Sequence, residues 1–73
     1  MATTTHSIAN RVRGIAAEHG FTQQQIASIL GISRTSVVER MNGRIDFSAR
    51  EISVLANAMQ VPVARFYPEA DAA

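Results

Sequence analysis

The sequence predicts an all-α domain of five helices, and three observations support this fold class. Apolar residues recur at spacings of three and four along most of the chain, as they do in helices that bury one face. Serine and threonine stand before these stretches and glycine stands after them, where helices are capped. No segment shows the alternation of apolar and polar residues that is typical of a half-buried strand. The chain has 73 residues, 47% of them apolar, which is enough for one compact core.

The first helix is predicted over residues 7–19, after a flexible N-terminal tail of residues 1–6. Ser7 can cap its start, and Gly20 stands where a left-handed residue commonly ends a helix. The apolar residues that form its single inward stripe are Ile8, Val12, Ile15 and Ala16. This helix is therefore amphipathic, with one face on the core.

Two short helices joined by a glycine turn follow in the middle of the chain. Thr22 and Gln25 form a capping box at the start of helix 2, and Gly31 ends that helix. Ser33 caps helix 3, and Asn42-Gly43 closes it. The residues of this pair that are expected to face the core are Ile26, Ala27, Leu30, Val37 and Met41.

A second capping box, formed by Ser48 and Glu51, begins helix 4. The apolar residues at i, i+3, i+4 and i+7 of its inner face are Ile52, Leu55, Ala56 and Met59. Each cap contributes about 1 kcal/mol, which matters in a domain with so small a core.

The chain ends with a short predicted helix 5. Pro62 suits its first turn, and Val63 and Phe66 are its apolar residues. We therefore assign residues 7–68 to one domain and residues 69–73 to a small, acidic C-terminal tail.

Composition excludes several classes of function. The net charge is only +1, so nucleic-acid binding would need basic residues collected on one face. The chain has no cysteine, and His6 and His19 have no further ligands in register, so we expect no disulfide and no metal site. No apolar run approaches the ~18 residues of a membrane span, and no secretory signal opens the chain, so we expect a cytoplasmic protein. No nucleophile and base stand at a catalytic spacing, so we expect neither an enzyme nor a cofactor.

The middle helix pair carries the most specific pattern in the chain. Gln23 opens helix 2, Ala27 follows four residues later, and Gly31 follows four residues after that. The small Ala27 lets the two helices pass closely, and Gly31 suits a turn with positive φ. This pattern resembles the helix-turn-helix of the lambda-repressor-like (Xre/Cro) family. The resemblance extends over residues 7–67, and it implies a compact five-helix DNA-binding domain with the helix-turn-helix at helices 2 and 3.

The resemblance also implies that helix 3 lies in the major groove of DNA, with its first residues at the base edges. Arg34 can then bond guanine bidentately, Val38 can contact a thymine methyl group, and Glu39 can accept from a cytosine amine or repel wrong registers. Gln23 and Arg44 would contact phosphates. The DNA-binding residues that the resemblance implies are Gln23, Ser33, Arg34, Thr35, Val38, Glu39, Asn42 and Arg44.

Simpler interpretations of these residues exist. Arg34 can be an ordinary solvated arginine. However, a cation in the first turn of a helix opposes the helix dipole, and an anionic partner explains its presence better. Thr35 and Ser36 can be ordinary polar residues of a first turn, and Val38 can be a single exposed apolar residue.

One position departs from the family pattern. Arg40 stands where the family usually has a large apolar residue, three after Val37. We expect Met41 to take over the packing and Arg40 to reach outward, towards a phosphate. Because of this departure, the sequence does not determine how helix 3 is rotated about its own axis. On helix 1, Arg11 and Arg13 are expected to form a solvated face, and one of them is a further candidate for a phosphate contact.

The leading hypothesis is a sequence-specific, double-stranded DNA-binding transcriptional regulator. It would be a repressor similar to small Cro-like or immunity-repressor-like phage and prophage proteins. Such proteins bind palindromic operators as two-fold dimers, with half-sites about one helical turn (~34 Å) apart. Phe66 is expected inward and Tyr67 at the surface, and the candidate residues for the dimer interface are Val61, Val63, Phe66, Tyr67 and Ile29. We expect a nucleoid-associated protein of a prokaryote or a phage, with no small-molecule effector because no sensor domain is evident.

Two alternatives remain open. The same domain can serve as the antitoxin of a toxin–antitoxin pair, although that role normally needs a further segment to embrace the toxin, and few residues follow Pro68. It can also be a protein-interaction module without DNA affinity. The effect of Arg34→Ala on duplex affinity separates the regulator from the interaction module.

Overall fold

Four α-helices and a final 3₁₀ turn make up the protein in a computed structural model that describes residues 4–67, with side chains from residue 8 onward. In chain order, the elements are α1 (Thr4–His19), α2 (Gln23–Leu30), α3 (Arg34–Met41), α4 (Ala49–Met59) and the 3₁₀ turn (Val63–Phe66). No strand occurs within residues 4–67, so the predicted all-α class is confirmed. No helix in this part of the chain is long and apolar enough to cross a membrane.

The first helix begins earlier than predicted. The sequence predicts a start at Ser7, but α1 begins at Thr4, so three residues of the predicted tail are helical and Ser7 is not the cap. Serine and threonine are both capping residues, and a run of them leaves the start of a helix ambiguous in the sequence. At the other end, Gly20 has φ +76°, as predicted for a left-handed helix ending. The rest of the predicted N-terminal tail, residues 1–3, and the predicted C-terminal tail, residues 69–73, lie outside the described residues, as does Pro68 at the end of the predicted domain.

The helices enclose one apolar core. α2 packs against α3 and α4, α1 packs against α3 and the 3₁₀ turn, and the turn also packs against α4. The buried residues of this core are Val12, Ile15, Ala16, Ile26, Ala27, Val37, Met41, Phe47, Ile52, Leu55, Ala56, Met59, Val61 and Phe66. Phe47 and Val61 lie in loops, where helical periodicity does not predict burial. The connecting segments therefore complete the core that the helices begin.

The predicted fifth helix is wrong, because this segment forms only the 3₁₀ turn. Pro62 precedes the turn with φ −59°, but Tyr67 is already extended, with φ −108° and ψ 119°. A residue before a proline is disfavoured in the α conformation, and Pro68 follows Tyr67 in the sequence. The four residues between these two points allow a single 3₁₀ turn rather than an α-helix. Phe66 nevertheless points inward and is fully buried, as predicted.

The helix α4 has the caps that the sequence predicts at its start. Glu51 N–H donates to Ser48 Oγ, and Ser48 N–H donates to Glu51 Oε1, both at 3.0 Å. The helix ends at Gln60, which has a left-handed φ of 58° without being glycine. Val61 N–H then bonds to the Ala56 carbonyl at 2.9 Å, which turns the chain back towards the core. Local capping at both ends therefore defines the length of α4.

Candidate nucleic-acid interface

Local hydrogen bonds shape the helix pair α2 and α3 as the sequence predicts. In the capping box of α2, Gln25 N–H donates to Thr22 Oγ1 at 3.1 Å, and Thr22 N–H donates to Gln25 Oε1 at 2.8 Å. Gly31 ends the helix with φ +70°, a backbone conformation in which a residue with a side chain would be strained. Ile32 N–H bonds to the Ala27 carbonyl at 3.1 Å. The turn between the two helices is therefore tight.

The helix α3 has an inner and an outer side. Its inner side consists of Val37 and Met41, which are both buried. Opposite them lie four residues at i, i+3, i+4 and i+7, which we call the outer stripe: Thr35, Val38, Glu39 and Asn42. Thr35 and Asn42 are exposed, whereas Val38 and Glu39 are half-buried. The inner side thus attaches α3 to the core and leaves the outer stripe accessible.

The first turn of α3 carries the other predicted base-reading residues. Ser33 is the N-cap, and its Oγ accepts from Ser36 N–H at 3.1 Å, as predicted. The Ser33 hydroxyl also donates to Ser36 Oγ at 3.1 Å, so it already has partners within the protein. Arg34 is exposed at the positive end of the helix dipole. A guanidinium there is favoured most when an anion lies nearby.

The loop after α3 folds back onto the end of that helix. Gly43 has φ +81°, and the N–H groups of Arg44 and Ile45 both point at the Glu39 carbonyl, at 2.9 and 3.4 Å. This bend holds the exposed Arg44 beside the last turn of α3. Ile45 is 40% exposed, which is unusual for an isoleucine, and it is not among the predicted DNA-binding residues. The sequence signal for Ile45 is that an apolar residue directly follows Arg44, inside the segment that is predicted to contact DNA.

Gln23 lies apart from the outer stripe. It is the first residue of α2 and is half-buried, and its side-chain Nε2 lies 3.8 Å from Met41 Sδ. The amide thus contacts the last turn of α3, next to the end from which the Arg44 loop begins. The structure therefore brings Gln23 near the C-terminal end of α3, while Ser33, Arg34 and Thr35 cluster at its N-terminal end.

Arg40 was predicted to reach outward, but it bonds within the protein instead. Its Nε donates to Glu51 Oε1 at 3.1 Å, and its Nη1 donates to the Ser36 carbonyl at 3.2 Å. The Glu51 carboxylate on α4 offers the guanidinium a charged acceptor within hydrogen-bond distance, so Arg40 turns towards α4 and not outward. Met41 does take over the packing at this point and is buried. In the sequence, Glu51 is recognisable only as the glutamate of the predicted capping box. That it also binds Arg40 depends on how α3 and α4 pack.

The Glu51 carboxyl has a perturbed pKa. Burial raises this pKa, but hydrogen bonding from the Ser48 backbone and the hydrogen bond and charge of Arg40 lower it. The net effect is a pKa below the ordinary value of 4.5, so Glu51 is ionised at neutral pH. The pair is therefore an ion pair as well as a hydrogen bond.

On α1, Arg13 corrects the expectation of a purely solvated face. Its Nη1 donates to the Met41 carbonyl at 3.3 Å, and its Nη2 bonds to the Asn10 side chain. A cation at the last carbonyls of a helix is favourable for the helix dipole. Arg13 therefore stabilises the end of α3.

Other surface features lie outside the predicted DNA-binding set. A shallow, open cavity of about 210 Å³ lies between α1 and the 3₁₀ turn, and its lining residues are Asn10, Arg11, Gly14, Ile15, Glu18 and Arg65. Within the described part of the chain, no three residues among histidine, cysteine, aspartate and glutamate come together as a metal site.

Comparison of the sequence with known families agrees with this geometry. Residues 12–66 match the model of a family described as helix-turn-helix, and the match covers the second half of α1 and all the elements that follow. Among curated proteins, no sequence matches this chain significantly.

Solved structures share the fold. The clp gene regulator ClgR from C. glutamicum is similar with a TM-score of 0.86 and 21% sequence identity, over 99% of this chain and 94% of that chain. The restriction-modification controller protein C.AhdI from Aeromonas hydrophila is similar with a TM-score of 0.77 and 22% identity, over 86% of this chain and 96% of that chain. At these identities the likeness establishes the fold alone. The family match establishes more: this chain belongs to the lambda-repressor-like (Xre/Cro) helix-turn-helix family, whose members are DNA-binding transcriptional regulators rather than enzymes.

Proposed function

We propose that this protein is a transcriptional repressor that binds a specific double-stranded DNA operator with α3 in the major groove. The observation that carries the proposal is the division of α3 into a buried side and an accessible outer stripe, with an exposed arginine at each end. Arg34 stands in the first turn, and Arg44 is held beside the last turn by its bond to the Glu39 carbonyl. A short polar helix with cations at both ends fits between two rows of phosphates.

The roles of the side chains follow from their chemistry and position. Arg34 and Thr35 would contact base edges, and Val38 would contact a thymine methyl group. Asn42 and Arg44 would contact phosphates at the C-terminal end of α3.

Three further residues complete the proposed interface. Glu39 would accept from a cytosine amine or exclude wrong registers. Ser33 would act mainly through its cap, because its hydroxyl already bonds twice to Ser36. Gln23 would contact a phosphate from the start of α2, after its amide leaves the Met41 sulfur, which is a weak acceptor.

A homodimer on a palindromic operator is part of this proposal. Of the candidate interface residues, Val61 and Phe66 are buried in the protein's own core and are unavailable to a partner. Val63 is 41% exposed, and Tyr67 and Ile29 are partly buried against the core. We therefore propose that the dimer contact includes Val63 on the 3₁₀ turn, with Tyr67 beside it.

The two structural neighbours support regulation as the role. One is a regulator of clp genes and the other is a controller protein of a restriction-modification system. By analogy with them, we propose that this protein acts in the prokaryotic cytoplasm on chromosomal, prophage or phage DNA.

Selection of bound sequences from a random duplex pool tests the proposal. We expect a two-fold symmetric consensus and a binding constant that falls steeply as salt increases, because phosphate contacts release counterions. Arg44→Ala should weaken binding to all sequences alike and lower the salt slope by about one counterion. Recovery of no consensus, with equal affinity for all duplexes, would contradict sequence-specific regulation.

A further inference from the structure

A series of hydrogen bonds connects α3 to α4 on the side where the two helices face each other. It starts at Ser33, whose Oγ accepts from Ser36 N–H, and continues where the Ser36 carbonyl accepts from Arg40 Nη1 at 3.2 Å. Arg40 Nε then donates to Glu51 Oε1 at 3.1 Å, and the same oxygen accepts from Ser48 N–H at 3.0 Å. The series therefore links the N-cap of α3 to the N-cap of α4.

The central ion pair of this series is shielded from solvent. The side chains of Arg40 and Glu51 are only 16% and 13% exposed. A second ion pair, Arg65 with Glu18, has the same nitrogen–oxygen distance of 3.1 Å but side-chain exposures of 47% and 58%. Exposed pairs contribute little because water and salt screen them, whereas shielded pairs interact more strongly. The two pairs thus have the same residue types and the same distance, and they differ in their exposure to solvent.

The Arg40–Glu51 pair restrains a motion that helix packing restrains only weakly, the rotation of α3 about its own axis. The main contacts of α3 are with α2 and α1, whereas those of α4 are with α2 and the 3₁₀ turn. The inner side of α3 consists of only Val37 and Met41, and two residues four apart restrain rotation of a helix weakly. A guanidinium is a planar, rigid group that bonds in fixed directions, unlike an apolar side chain. Its contacts to Glu51 and to the Ser36 carbonyl therefore restrain the rotation of α3 about its axis.

We infer that Arg40 and Glu51 are positioning residues that set the rotation of α3, and through it the ability to discriminate between DNA sequences. This inference rests on the proposed function. Neither side chain contacts DNA in this role. Base-edge hydrogen bonds depend steeply on alignment, whereas phosphate contacts tolerate small shifts. Loss of the pair therefore weakens operator binding and leaves non-specific binding largely intact.

Charge-matched variants separate this role from general electrostatics. Glu51→Gln removes one negative charge and leaves a neutral amide oxygen, which still accepts from Ser48 N–H but binds Arg40 Nε more weakly than a carboxylate does. Glu18→Gln removes the same charge from the exposed pair. Arg40→Lys keeps the charge but loses the guanidinium that bonds both Glu51 and the Ser36 carbonyl. The affinity of each variant for the selected operator and for a scrambled duplex would be measured at a temperature where circular dichroism shows all variants fully folded.

The expected result is a loss of discrimination in the Arg40 and Glu51 variants alone. Glu51→Gln and Arg40→Lys should each lower the ratio of operator to scrambled affinity about tenfold, the loss from misaligning about one base contact. Glu18→Gln should leave the ratio unchanged. The sign is decisive for Glu51→Gln, because electrostatics alone would tighten binding to every duplex. A ratio that stays the same in both Glu51→Gln and Arg40→Lys, or falls equally in Glu18→Gln, would overturn the inference.

Amide hydrogen exchange of the free protein provides a second readout that does not depend on DNA. Glu51→Gln should speed exchange in α3 more than in α1, and Glu18→Gln should not change α3. Unchanged α3 exchange in Glu51→Gln would overturn the positioning role even if this variant discriminates less well between operator and scrambled duplex. If the wild-type protein binds no duplex preferentially while α3 exchange responds as expected, the proposed function fails and the inference about discrimination fails with it, whereas the link between the helices stands.

Discussion

The helices α3 and α4 begin with the same device and are held in the protein in different ways. Each starts at a serine N-cap, Ser33 or Ser48. The helix α4 buries four residues over three turns, whereas α3 buries only two over two turns. The helix α4 is thus held mainly by apolar burial, whereas α3 relies more on polar contacts at its flank and its end. A helix with few buried residues keeps a broad surface for a partner, and it depends on directional contacts for its position.

The largest expected difference between the two helices is in stability. Leu55 of α4 is fully buried, and Leu55→Ala should cost about 2–5 kcal/mol of unfolding free energy, because it removes apolar contacts and leaves a cavity. Val38→Ala, on the outer stripe of α3, should change stability by less than about 0.5 kcal/mol. Urea unfolding followed by circular dichroism measures both. Equal losses in the two variants would show that the outer stripe is packed rather than accessible.

The next effect is on DNA affinity and concerns α3 alone. Arg34→Ala should cost about 1–3 kcal/mol at the selected operator and relax the preference at one base pair. It should not destabilise the fold, because Arg34 is exposed and lies at the unfavourable end of the helix dipole. Competition binding with operators altered one base pair at a time measures this effect. Unchanged duplex affinity would remove Arg34 from the proposed interface.

The caps provide a closer comparison of the two helix starts. Ser33→Ala and Ser48→Ala should each cost about 1 kcal/mol, because each leaves the N–H of the third helical residue without its acceptor. The loss should be larger at Ser48, where the Oγ is half of a capping box and the Glu51 side chain completes it. Chemical denaturation of the two variants side by side gives the order. A larger loss at Ser33 would indicate that α3 depends on its cap more than α4 does.

The smallest expected effect is a pH dependence that arises where the two helices meet. The pKa of Glu51 is lowered from 4.5 in the folded protein, so its ionised form stabilises the fold above that pH. This contribution is lost as the pH falls below 4.5 and through the lowered folded-state value. Glu51→Gln should therefore be less stable than the wild type at pH 7, and the difference should shrink at about pH 3. A difference that is the same at both pH values would mean that ionisation of Glu51 does not contribute.

Features with short-range causes could be predicted from the sequence. The capping boxes of α2 and α4, the serine cap of α3 and the left-handed Gly31 all involve residues within four positions of each other. Helical periodicity likewise predicted the buried stripes. The start of α1 was missed because several capping residues occur in succession. The predicted helix 5 is only a 3₁₀ turn because Pro68 restricts Tyr67, an effect that follows from the sequence itself.

The tertiary structure alone decided which distant groups meet. Arg40 turns to Glu51, Arg13 reaches the Met41 carbonyl, and Phe47 enters the core from a loop. No local pattern specifies these contacts, because the partners are brought together only when the helices pack.

The sequence alone specifies α2, α3 and α4, their caps and the family of this protein, since hydrogen bonds between near neighbours and the 3.6-residue period act before any packing. The way α3 is held, and which of its side chains remain accessible, follow from the packing of the helices. Those properties depend on distances between groups on different helices, and such distances exist only in the folded chain.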